Sequence, residues 1–404
     1  MRVISHRDRF TNMMEMLERR SLFSAQSAYA VTSLVYNGTT PEGASPTPSV
    51  VDSTLVDTWG LAMGPNGVTV DTNVTGYVVR IRSSGASYGA HAILPAETSN
   101  AGRGAGSGML YNPTDTWDIP GTDTPATYII GTEGGNLDGW NPSTSVRTIS
   151  TCYSSGNTAQ YEDVALGVAT VNGHAHNYLY ATDFSDKSVD VFNSSFAPTS
   201  VTGTFTDPDI PSNFSPYGLC VDGSNIFVTY CQLETSGVED HPGKGLGILD
   251  EFSTAGVFEK RIISVGGALD DAFGMAVAPA NFGSFSNELL IGDFGDGLIT
   301  GVNLTTDAVT AQMKGSNGKV FSVDGDFGLW SLAFGNGKGG TNPDALYFAG
   351  PTDNEAGGLV GYITVSGVAA AKAVATPAAA TTAIAAASAN KNDDLSVLEA
   401  IVND

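Results

Sequence analysis

The sequence predicts an all-β fold, a single β-propeller of about six four-stranded blades closed by an N-terminal strand. Three observations predict it. Short apolar runs with β-type alternation are punctuated by Gly, Asn, Asp, Ser and Thr, and 49 glycines in 404 residues supply many of the turns. A motif of aromatic-Gly-apolar-x-apolar type recurs along the chain. No long helical periodicity interrupts the middle of the sequence.

The stretch Ala272 to Asp307 shows the repeating unit best. Met275 to Ala278, Glu288 to Ile291 and Leu298 to Val302 are apolar runs, and Gly292-Asp293-Phe294-Gly295-Asp296-Gly297 separates the last two. That is an antiparallel meander.

Residues 1–28 carry Arg2, Arg7, Arg9, Arg19 and Arg20 and no apolar run of ordinary signal-peptide length. Met16-Leu17-Glu18-Arg19-Arg20-Ser21-Leu22-Phe23-Ser24-Ala25 nevertheless resembles the LEPR-type N-terminal motif of exported and cell-surface bacterial proteins. Arg19 stands where proline is frequent there, and Phe23 where leucine is. Residues 1–28 are therefore expected to be an export leader.

Ala30 to Tyr36 reads as a strand lying outside the first repeat. A propeller must join its two ends, so this strand is expected to complete the blade that ends near Val365 and to leave no exposed edge there.

Aligned on glycine, the repeats open at Gly60 in Trp59-Gly60-Leu61, Gly108 in Ser107-Gly108-Met109, Gly167 in Leu166-Gly167-Val168, Gly218 in Tyr217-Gly218-Leu219 and Gly274 in Phe273-Gly274-Met275; Ser331 takes the place in the sixth. Their mean spacing is about 54 residues, near the roughly 40 to 50 of one four-stranded blade. A middle strand follows each opening, at Val68 to Asp71, Tyr128 to Gly131, Tyr178 to Ala181, Ile226 to Thr229, Leu289 to Gly292 and Leu346 to Ala349. Closing strands include Ser188 to Phe192 and Gly358 to Tyr362. The propeller is thus expected over residues 29–366. Residues 367–404 form an Ala-rich low-complexity tail, in which Leu395, Leu398 and Ile401 have the spacing of a short C-terminal helix.

Eighteen Lys and Arg against 42 Asp and Glu give a formal charge of -24, which repels phosphate backbones and excludes nucleic acid as a partner. No segment is long and apolar enough to span a membrane as a helix. Cys152, Cys220 and Cys231 are too few and too odd in number for a disulfide framework; a tight hairpin about Asp222-Gly223-Ser224-Asn225 pairs Cys220 near Phe227 and leaves Cys231 out of register. All three read as free core residues.

Several blocks in order resemble a family of conserved hypothetical β-propeller proteins exported by bacteria, some of which carry a PEP-CTERM sorting tail. The blocks include Asp52-x-x-Leu55-Val56-Asp57-Thr58-Trp59-Gly60-Leu61-Ala62, Glu133-Gly134-x-Asn136-Leu137-Asp138-Gly139-Trp140-Asn141-Pro142 and Asn177-Tyr178-Leu179-Tyr180-Ala181-Thr182-Asp183-Phe184, followed by Gly292-Asp293-Phe294-Gly295-Asp296-Gly297 and Gly328-Leu329-Trp330-x-Leu332-Ala333-Phe334-Gly335. The resemblance implies a propeller and export, and brings no activity with it. The tail here lacks the Pro-Glu-Pro, apolar helix and basic end of a sorting signal.

In a propeller the loops at one mouth of the central channel converge, which makes that mouth the default ligand site. The residues following the middle strands include Thr72-Asn73, Thr132-Glu133, Thr182-Asp183 and Gly292-Asp293. Asn73, Glu133, Asp183 and Asp293 are therefore the candidate ligand-binding residues, and Glu133, Asp183 and Asp293 the candidate metal ligands. Hard cations such as Ca²⁺ take several oxygen ligands. The competing role for these carboxylates is to satisfy backbone donors in tight turns.

Other motifs carry less. Gly85-Ala86-Ser87-Tyr88-Gly89 matches G-x-S-x-G without the strand-to-helix elbow that serine chemistry needs. His174-Ala175-His176 offers two ligands and no third. Gly102-Arg103-Gly104-Ala105-Gly106 and Gly243-Lys244-Gly245 lack phosphate-loop spacing. The opening aromatics Trp59, Tyr217, Phe273 and Trp330 suit sugar stacking, but their shared repeat position points to packing between blades.

The expected function is that of an exported, monomeric binding or scaffold propeller without catalysis or cofactor, its loops contacting a carbohydrate or surface protein. The alternative is a calcium-dependent hydrolase or lactonase at the channel, in which Glu133, Asp183 and Asp293 hold the ion and the ion polarises a carbonyl.

Overall fold

The computed structural model describes residues 28–38, 50–87, 91–97, 103–143, 149–237, 239–323 and 328–366. These fall in one compact unit, whereas a second, residues 370–404, lies outside them. The leader motif, the Ala-rich tail, Tyr88-Gly89 and Gly102 are also outside the described residues.

The chain is a six-bladed β-propeller, and each blade is an antiparallel meander of four strands. Blade 1 comprises Leu61–Gly64, Gly67–Asp71, Tyr77–Ile81 and Ala92–Ile93; blade 2 comprises Gly106–Tyr111, Tyr128–Thr132, Asn136–Trp140 and Ser150–Ser154. Blade 3 runs through Tyr161–Val171, His174–Asp183, Ser188–Phe192 and Pro198–Thr199, and blade 4 through Phe214–Asp222, Asn225–Gln232, Gly247–Ser253 and Phe258–Ile263. Blade 5 has Ala272–Val277, Glu288–Asp293, Ile299–Asn303 and Ala308–Gln312. Ser331–Phe334, Leu346–Thr352 and Gly357–Val365 supply three strands of blade 6.

The N-terminal strand Tyr29–Asn37 supplies the fourth. It pairs antiparallel with Gly357–Val365 from Tyr29 opposite Val365 to Asn37 opposite Gly358, as the sequence predicts. Val50–Val51 adds a short parallel strand outside it. Ends from opposite termini thus close the ring by backbone hydrogen bonds.

A single blade has two apolar faces and cannot bury either alone. Six apolar clusters lie in the seams between neighbours, such as Leu61, Met63 and Val70 against Tyr347, Ala349 and Val360, or Ile129 and Leu137 against Tyr161, Val164 and Leu179. Each fully buried Val, Leu, Ile or Phe contributes about 1.5–3 kcal/mol, so these seams hold the ring together.

The opening glycines have a physical cause. A Cβ on Gly218 would overlap the Phe273 carbonyl oxygen of the next blade, and one on Gly274 would overlap the Trp330 carbonyl. Innermost strands crowd the axis, and their backbones touch where the side chain is hydrogen.

The third blade corrects the sequence alignment. Its opening strand pairs Val164 with Ala181, as Leu61 pairs with Val70 and Leu219 with Val228. Glu162-Asp163 therefore stand where Trp59-Gly60 and Tyr217-Gly218 stand, and Gly167 lies farther along the strand. The amide hydrogen bonds agree. Asp163 N donates to Thr182 Oγ1 at 2.9 Å, Gly218 N to Thr229 Oγ1 at 2.9 Å and Gly60 N to Asp71 Oδ1 at 2.8 Å. The cysteines are free, with Cys220 opposite Phe227.

Candidate functional site

The residue just before each glycine-type opening position and the side chains just beyond each middle strand decide what faces the axis. Trp59, Tyr217, Phe273 and Trp330 pack between blades as expected, and they do so at the axis rather than in the outer seams. They meet one another across the axis, with Phe184, Phe294, Cys231 and Leu233 in the same buried cluster. Ring centroids lie 3.9 Å apart for Trp59 and Trp330, 5.1 Å for Tyr217 and Phe273, and 3.7 Å for the stacked Phe294 and Trp330. The corresponding places in blades 2 and 3 hold Ser107 and Glu162, so the aromatic plug is incomplete on that side.

A cavity of about 290 Å³ opens beside the plug. It is lined by Asp57, Trp59, Asn73, Val74, Glu133, Glu162, Phe184, Tyr217, Glu239, Asp240, Trp330 and Glu355. These come from blades 1, 2, 3, 4 and 6, which puts the cavity on the propeller axis at the end where middle strands finish and opening strands begin. Six of the twelve are carboxylates, and none is Lys, Arg or His.

Burial raises most of these acids. Asp57 is held well above the usual carboxylate range by burial and then by the charge of Glu355, against the Trp330 indole N–H, which donates to its Oδ1 at 3.0 Å. Glu133 is raised by burial while the adjacent Asn73 side chain opposes the rise. Glu162 is raised well above its ordinary value by burial and then by Glu133. Burial, followed by Asp240, raises Glu239 and Glu355. Asp271, buried outside the cavity lining, is also raised, by burial and then by Asp240.

Glu162 is 1 % exposed. Its Oε1 accepts from Gln160 Nε2 at 2.7 Å, and its Oε2 has no partner. Glu355 is delivered by Asp353, Asn354 and Glu355 in succession at positive φ, 53°, 57° and 66°. A left-handed backbone costs a non-glycine residue free energy, and such strain persists only where the surroundings impose it.

Of the residues predicted from sequence, the structure brings Asn73 and Glu133 together in the cavity and leaves Asp183 and Asp293 outside it. The cause is a one-residue slip in register. Val70, Ile130, Ala181 and Ile291 are equivalent by their pairing with Leu61, Met109, Val164 and Met275. Three residues on, the axis-facing position is held by Asn73, Glu133, Phe184 and Phe294. Asp183 and Asp293 correspond instead to Thr72 and Thr132, and in a strand-like backbone one residue reverses the direction of the side chain.

All four accept hydrogen bonds from the protein itself. Asp183 Oδ1 accepts from Gln160 N and Ser185 N at 3.1 Å and from Asp186 N at 3.2 Å. Asp293 accepts from Asp270 N at 3.1 Å and from Thr300 Oγ1 at 3.3 Å. Thr72 and Thr132 accept from Tyr77 N and Asn136 N. Among the described residues, no group of three or more His, Cys, Asp or Glu side chains is placed to hold a metal ion.

No family model matches the chain. It is similar to three uncharacterized proteins of Acanthamoeba polyphaga mimivirus. One, R640, is 28% identical over 179 residues, 43% of this chain and 32% of that protein; another, L690, is 29% identical over 196 residues, 47% and 49%. The matches thus span between a third and half the length of these relatives, which are viral rather than bacterial.

Among solved structures, a Bacteroides thetaiotaomicron protein of unknown function matches 84% of this chain and 76% of its own, at 13% identity and a TM-score of 0.50. A calcium-binding regucalcin from Agrobacterium tumefaciens matches 83% and 95% at 12% identity and a TM-score of 0.47. The soluble aldose sugar dehydrogenase of Escherichia coli matches 84% and 100%, also at 12% and 0.47. These are likenesses of fold.

Proposed function

We propose that the chain is a binding propeller without catalysis, and that its ligand site is the acidic axial cavity, which captures a positively charged group. The observation that carries this reading is the convergence of six carboxylates from five blades on one cavity that no cationic side chain lines. Carboxylates so buried hold protons against their ordinary tendency. A cation entering the cavity replaces those protons as the countercharge to Asp57, Glu133, Glu162 and Glu355. A surface protein presenting a basic group is a partner of this kind; a neutral carbohydrate is not. Export is part of the proposal, on the strength of the Leu17-Glu18-Arg19-Arg20 motif. A hydrolase holding calcium on Glu133, Asp183 and Asp293 would have two of its three carboxylates committed to hydrogen bonds from the protein itself.

A thermal-shift panel tests the reading. At low ionic strength, organic and inorganic cations are expected to raise Tm, with a smaller effect in E133Q/E162Q. Neutral sugars or anions raising Tm while cations leave it unchanged would overturn it.

A further inference from the structure

On that reading, we infer that the ligand is an organic cation, an ammonium or guanidinium group carried on a slender alkyl stem. The lining argues for it. Trp59, Phe184, Tyr217, Trp330 and Val74 border the cavity beside its carboxylates, while polar atoms supply most of its exposed surface. Aromatic faces attract an organic cation through their quadrupole, and the stem of such a group packs on apolar surface.

Glu162 lines the cavity, and its buried Oε2 has no hydrogen-bond partner, so the carboxylate has an acceptor to offer an N–H donor. A buried acceptor left unpaired is costly, so a charged donor gains both pairing and attraction there.

A hard divalent ion fits less well. It needs about six to eight oxygens closing on one point, and no such group of acids is placed to hold a metal among the described residues. The size is also decisive. About 290 Å³ lies at the small end of ligand pockets, room for one basic side chain or the end of a polyamine.

Isothermal titration of the full chain tests this with four probes: spermidine, N-acetyl-lysine methylamide, its uncharged counterpart N-acetyl-norleucine methylamide, and calcium chloride. At least one of the two amines is expected to bind at least about tenfold more tightly than the norleucine compound. In E162Q, with folding verified by circular dichroism, the amine affinity is expected to fall about tenfold. The comparison of lysine and norleucine probes needs no variant and stands if E162Q does not fold. Spermidine binding alone identifies a free polyamine as the source, and lysine-probe binding identifies a basic side chain of a partner protein. Binding of the norleucine probe as tight as that of both amines overturns the inference, as does calcium binding without amine binding. The latter leaves the cation-binding function standing, whereas failure of every cation removes both.

Discussion

Asp71 offers a test of the repeat register through a single proton. It occupies the place of Thr182 and Thr229, where a side-chain oxygen accepts the amide of the opening residue. Threonine performs that task without charge. Asp71 performs it fully buried, with Oδ2 unpartnered, and burial lifts its pKa from 3.8 to about 8 against the Gly60 hydrogen bond. The sign follows from linkage. Below about pH 4 both folded and unfolded chains are protonated there and the residue contributes no pH dependence; between about 4 and 8 the unfolded chain has lost the proton that the folded chain keeps, so stability falls as pH rises, and above about 8 the loss is complete. A shift of about 4 units corresponds to on the order of 5 kcal/mol.

D71T is therefore expected to match the parent chain near pH 4 and to exceed it by several kcal/mol near pH 9, with a stability curve shallower by up to about 1.4 kcal/mol per pH unit between them. Urea denaturation followed by tryptophan fluorescence across that range measures the difference. A difference independent of pH, or a D71T chain less stable near pH 9, would refute the assignment of a buried, protonated acid at this position.

G218A places a methyl against the Phe273 carbonyl oxygen and is expected to cost about 3 kcal/mol or more in chemical denaturation, because the obstacle is backbone. E355G removes a cavity carboxylate and frees the backbone at φ 66°. It is expected to raise stability by about 1 kcal/mol in thermal denaturation while weakening amine binding, a split that separates local strain from ligand recognition.

The architecture was legible because each blade repeats opening, middle and closing strands, and because a propeller imposes closure that Ala30 to Tyr36 could satisfy. The site was only half legible. Asn73 and Glu133 follow from the position after a middle strand, but the same rule applied one residue early selects Asp183 and Asp293, whose Thr counterparts in blades 1 and 2 reveal them as acceptors of hydrogen bonds from the protein itself. Glu162 was hidden because the third opening has no glycine; aligning Glu162-Asp163-Val164 with Trp59-Gly60-Leu61 also evens out the spacing of the openings, a signal present in the sequence. Glu239, Asp240 and Glu355 belong to loops whose paths no periodicity encodes.

The central claim, that a cation enters the axial cavity, is tested most directly by the indole N–H resonances of the four tryptophans in a ¹⁵N-labelled chain. Trp59 and Trp330 line the cavity, whereas Trp117 and Trp140 lie in the seams of blade 2. Titration with spermidine and then with N-acetyl-lysine methylamide is expected to shift Trp59 and Trp330 in a saturable manner and to leave Trp117 and Trp140 in place. Saturable shifts confined to Trp117 or Trp140, or no saturable shift with either amine, would contradict the account.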